Sequence, residues 1–228
     1  MLRKELLFFV VSAGLLTAWA TSCTGDSEIP GESMGLFRFH ASPLSFDGGV
    51  ARACDRISEL PKDQGFDFEG VFSQSRESSE KAYFTINGLS RDASLTGQVL
   101  TSTVEAGRRF EVDDCVPEFT AEETLEVALI SESQARHYAA LDGGPGTGCP
   151  PDIETLLGSG AFLVDPDAGI VAPSFTPEGF DAIHACGLLI DILRPNGECP
   201  AFETAPDGGT TPLDACTATY FVDGVRRQ

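Results

Sequence analysis

The chain has no closely spaced cysteine pair, no phosphate loop, no His-Glu-x-x-His helix motif and few cations, with 15 Lys and Arg against 35 Asp and Glu. Each lack removes a class of activity. The seven cysteines stand at 23, 54, 115, 149, 186, 199 and 216, too far apart for the paired thiolates of a zinc finger or a Cys-x-x-Cys redox motif. In the glycine-rich stretch 142–148, Gly148 is followed by Cys149 and Pro150, where a Walker loop needs lysine and a hydroxyl. His40, His137 and His184 are scattered and do not suggest a metal pair on one helix face. Gly158-Ser159-Gly160 lacks the spacing of a nucleophile elbow. Asp165-Pro166-Asp167-Ala168-Gly169 opens like a calcium loop, but its glycine comes one place early and Thr176 stands where a bidentate glutamate is required. No cofactor and no metal site are expected.

Tryptophan is almost missing as well: Trp19 is the single one, and Tyr83, Tyr138 and Tyr220 are the only tyrosines. Sugar- and peptide-binding surfaces lean on those rings for rigid contact area, so a carbohydrate module is disfavoured. Of the 16 phenylalanines, Phe8 and Phe9 fall in the first 23 residues, and the others read as core. The acidic excess repels nucleic acid and anionic lipid, which speaks against binding either through a basic patch.

The first 23 residues are the most specific stretch. Arg3 and Lys4 precede an apolar run from Leu6 to Ala20, shorter than the roughly 20 residues a spanning helix needs, so the pattern is that of an export signal. Ala18-Trp19-Ala20 offers ordinary signal peptidase a cut after Ala20. Ala20-Thr21-Ser22-Cys23 offers a second processing site. It resembles the lipobox of Gram-negative bacterial lipoproteins, with Ala20 in the place usually held by leucine. The resemblance covers the leader alone and implies a diacylglyceryl group on Cys23; Thr24 in place of aspartate implies the outer membrane. Residues 23–34 are small, polar and turn-forming, as a flexible tether would be.

Seven cysteines in an exported chain are an odd number, and lipid on Cys23 resolves it. Cys54, Cys115, Cys149, Cys186, Cys199 and Cys216 then suffice for three disulfides. Nearest neighbours are the expected pairs: Cys54 with Cys115, Cys149 with Cys186, and Cys199 with Cys216.

The rest, 35–228, reads as one β-rich domain. Short runs of Phe, Val, Ile, Leu and Thr between Gly, Pro, Asp and Asn predict strands over 35–41, 50–57, 67–73, 81–86, 95–104, 109–112, 125–130, 161–164, 186–193 and 218–222. Asn87-Gly88 after the fourth predicts a type I′ hairpin, because both central positions need positive φ. Capping-box spacing occurs at Thr120–Glu123 and Ser131–Gln134, of which the second, followed by Ala, Arg, Tyr and Ala, predicts one short helix near 132–141. The expected fold is mainly β, a disulfide-stapled antiparallel sandwich or irregular barrel. The expected role is non-enzymatic: an exported, lipid-anchored envelope or cell-surface protein serving structure, adhesion or binding of a protein or glycan partner. An exported hydrolase with a carboxylate-based site is the alternative.

Overall fold

The computed structural model describes residues 29–48, 64–109, 118–141, 148–196 and 215–227. The leader, Cys23, Cys54, Cys115 and Cys199 lie outside them, as do the expected strand 50–57 and most of 109–112. Eight long strands build the frame: β1 (Glu32–Gly48), β2 (Phe66–Gln74), β3 (Lys81–Ile86), β4 (Leu89–Thr96), β5 (Val99–Arg109), β6 (Glu118–Ser131), β9 (Ala182–Asn196) and β10 (Cys216–Arg226). Each pairs antiparallel with the next, and β1 pairs with both β2 and β10, so the sheet closes into a barrel. Closure settles the choice left open between sandwich and barrel, and leaves the ring without an edge strand.

The period of two sorts the residues. Phe37, Phe39, Phe72, Phe84, Leu100, Leu125, Val127, Leu129, Leu189 and Val222 point inward and are buried in one cluster. Four of those phenylalanines pack ring against ring, with Phe39 edge-on to Phe72 and Phe84 at 5.8 and 6.4 Å. Outward lie Arg38, Asp67, Glu69, Asp92 and Glu105, all exposed. An apolar inside and a charged outside reverse the pattern of a membrane-spanning barrel, whose apolar band faces lipid.

Glycine is required where strands approach closely. A Cβ on Gly187 would run into the Glu126 carbonyl and come within 2.7 Å of Val127 Cα. The Asn87-Gly88 turn has φ of 51° and 76°, as the type I′ reading requires. The expected strand 95–104 is instead split: Gly97, at φ 60°, turns the chain with Gln98 between β4 and β5.

At the lower end, where β1 begins and β10 finishes, the β6–β9 connection folds over the wall as two helices, α1 (Glu132–Ala139) and α2 (Ile153–Ser159), and a small hairpin of β7 (Phe175–Thr176) and β8 (Gly179–Phe180). The Ser131–Gln134 capping box forms, with Ser131 Oγ accepting from the Gln134 amide at 3.2 Å. Thr120–Glu123 lies within β6. The second helix was not expected. Nor do residues 161–164 pair as a strand: Phe162 packs instead with Tyr138, Ile153 and Leu157 in a satellite cluster outside β6 and β9. Arg226 fastens the hairpin, donating to the carbonyls of Phe180 and Ala182. Strand β1 starts at Glu32 and buries Met34, so the last three residues of the expected tether belong to the barrel.

Candidate functional site

Among the described residues the barrel interior is apolar apart from Ser102 and one charged layer in its upper half. Glu123 on β6 stands directly opposite Asp191 on β9, and Asp191 opposite Ala218 on β10. Both acids occupy inward positions between buried neighbours, Leu125 and Leu189 below and Ala121 and Leu193 above. Like charges directly opposed across strands repel, and burial adds a desolvation cost. Arg91 on β4 offsets part of it, with its guanidinium in an ion pair with Glu123; the two side chains are 24% and 19% exposed. Tyr220, one inward position below Ala218, lies beneath this layer, and burial followed by the Asp191 charge pushes its phenol up to about 12. The layer sets two acids and one guanidinium at the same level of the barrel, a group of charges that can hold a polar partner by charge-assisted hydrogen bonds.

Histidine is not part of it. His40 Nδ1 pairs with Asp67 on the exposed outer wall at 2.8 Å, and Arg38 reaches the same carboxylate at 2.9 Å. Those two hydrogen bonds, His40 first, hold the Asp67 carboxyl below its usual value. His137 stands edge-on to Tyr138 on α1. His184 Nδ1 lies 3.6 Å from Asp223 Oδ1 on the outer face of β9 and β10. None of the three reaches the interior acids, so no histidine-activated nucleophile is assembled among the described residues.

The expected pair Cys149–Cys186 is present, with sulfurs 2.01 Å apart. It ties the loop before α2 to the outside of β9, and both residues are buried. Asp223 Oδ1 sits 3.4 Å from Cys149 Sγ. Cys149, Cys186 and Asp223 place their ligand atoms within 4.8 Å of one another, but both sulfurs are committed to the disulfide, so no thiolate is there to hold a metal. Cys216 is also disulfide-bonded. Its expected partner Cys199 lies outside the described residues, as does the pair Cys54 and Cys115. The segments carrying these three cysteines join strands at the upper end, where Cys216 opens β10.

The Asp165 loop forms a turn, with Asp165 Oδ1 accepting from the Ala168 amide at 3.1 Å. Gly158-Ser159-Gly160 ends α2, with Gly160 in the left-handed region. Sequence reasoning missed the Arg91–Glu123–Asp191 layer altogether. Its only local signal is an acid at an inward position of an alternating run, and this was legible at Glu123 in Ala121-Glu-Glu-Thr-Leu125 once the strand was extended backwards. No protein-family model, curated protein or solved structure gives a significant match to this chain.

Proposed function

We propose that the chain is an exported envelope protein, anchored at the outer membrane or cell surface through lipid on Cys23, with a non-enzymatic structural, adhesion or partner-binding role. The observation that carries this reading is the polarity of the barrel: a closed wall, charged outside and filled with phenylalanine inside, shows no lipid-facing band among the described residues, so a membrane-associated form calls for an external anchor. Nine residues, 23–31, precede β1 and reach about 30 Å at full extension. The lower end is then membrane-proximal and the opposite end faces away. Fractionation after expression in a Gram-negative host tests the anchor. Wild type should sediment with membranes and resist a salt wash, and Cys23→Ser should move to the soluble exported fraction. Soluble wild type, or membrane-bound Cys23→Ser, overturns the reading.

The opposed Glu123 and Asp191 favour a second reading, an exported hydrolase using a carboxylate pair. The Arg91 ion pair and the filled interior below weigh towards binding instead. Release of reducing ends from polysaccharides, lost in both Glu123→Gln and Asp191→Asn, would establish the hydrolase; the binding role expects no turnover by wild type.

A further inference from the structure

A groove of about 420 Å³ runs along the outside of the barrel between the start of α2 and the β1–β10 wall. Three features build it. The first is a β-bulge in β1, where the register against β10 slips between Pro43 and Ser45. A bulge re-aims a side chain, and here the extra residue, Leu44, is 51% exposed in the groove. The second is Phe221 on β10, an aromatic outward residue beside it. The third is the opposite wall, Pro150-Pro151 followed by Asp152 and Glu154, pinned by the neighbouring Cys149–Cys186 disulfide. Two consecutive prolines have fixed φ and lose little freedom when a ligand arrives.

The chemistry of the lining selects the occupant. Apolar area comes from Leu44, Phe221 and the prolines, while among the described residues the charged side chains on the groove are both acids, Asp152 and Glu154. The chain as a whole has a formal charge of −20, which concentrates cations at its surface. A rigid groove with an apolar floor and an acidic rim suits an extended segment that inserts one apolar side chain between basic neighbours. We propose that this groove is the docking site for such a basic peptide segment of a partner protein. The inference rests on the partner-binding role proposed above and gives that role a surface.

The test uses the mature full-length protein with its disulfides intact and a peptide probe, acetyl-Lys-Lys-Leu-Lys-Lys-amide, titrated by calorimetry. Binding that weakens as salt rises is expected. Leu44→Ser should weaken it at least about fivefold, the loss expected of a central apolar contact. The exposed acids can be neutralised without disturbing the core, so Asp152→Asn/Glu154→Gln should weaken it about threefold or more and flatten the salt dependence. The peptide with Ala for Leu should bind as poorly as Leu44→Ser does with the parent. No binding, equal binding of the Glu-Glu-Leu-Glu-Glu counterpart, or indifference to both variants overturns the proposal. Leu44-dependent dimerisation by light scattering, without peptide binding, would assign the groove to a second copy instead. Peptide binding by a protein that proves unlipidated would sink the anchor and leave the groove standing.

Discussion

Replacing both members of the Cys149–Cys186 disulfide by alanine isolates what this bond contributes. The two residues are 37 positions apart, and the chain-entropy model for a loop of that size gives about 4 kcal/mol at 25 °C. Substituting both avoids leaving a lone thiol beside Asp223. The sulfurs are buried among Ala128, Ile130, Ala135 and Ile153, so lost packing adds to the entropic part. At about 2 to 4 °C per kcal/mol for a chain of this size, the melting temperature should fall by about 8 to 16 °C. Calorimetric melts of wild type and the double variant measure this directly. Amide exchange locates it: protection should fall first in α1, α2 and the 160–171 stretch, while β2 to β5 keep theirs. A loss below about 1 kcal/mol, or exchange rising uniformly round the barrel, would refute the view that this bond staples the helical flap to a wall that stands without it.

Three further substitutions probe the barrel. Gly187→Ala places a methyl against the Glu126 carbonyl and Val127 Cα, and should cost at least about 3 kcal/mol in urea unfolding; a near-neutral result would contradict the β6–β9 register. Arg91→Met removes the ion pair with Glu123 from a partly shielded layer, and should cost about 2 kcal/mol, between the values for exposed and fully buried pairs. Tyr220 has a folded-state value of about 12, raised above the ordinary 10, so the folded protein holds this proton longer than the unfolded chain. Its stabilising contribution is complete below pH 10 and is lost as pH rises from 10 towards 12. Ultraviolet titration should show the Tyr220 ionisation near pH 12 vanish in Tyr220→Phe, while Tyr138, whose phenol burial also raises, still titrates late.

Local order was legible in the sequence where one face is apolar and the turn chemistry is strong. The alternation of Phe37 and Phe39, the Asn87-Gly88 turn, the Leu125–Ile130 run and the Ser131 capping box all correspond to observed structure. Closure was not legible, because it depends on β1 meeting both β2 and β10, and nothing local in 32–48 marks a strand as shared. The break at Gly97 was hidden because Leu95 and Val99-Leu100 continue an apolar pattern through it; a lone glycine was the only warning. Helix α2 was signalled by Pro150-Pro151-Asp152 but is too short to show a period. Residues 161–164 have strand-forming chemistry, yet Phe162 gains more by burying against α1 and α2 than by joining an edge that does not exist. The Arg91–Glu123–Asp191 layer joins three strands up to 100 positions apart, so it is a property of the register rather than of any motif.

The anchor is the point on which the proposed role turns, and the intact mass of the mature protein, extracted with detergent and measured with and without thiol alkylation, tests it most directly. The account predicts a chain beginning at Cys23, heavier than its sequence by a diacylglyceryl group, with no alkylatable thiol. A chain beginning at Thr21 with no acyl addition and one free cysteine would contradict it.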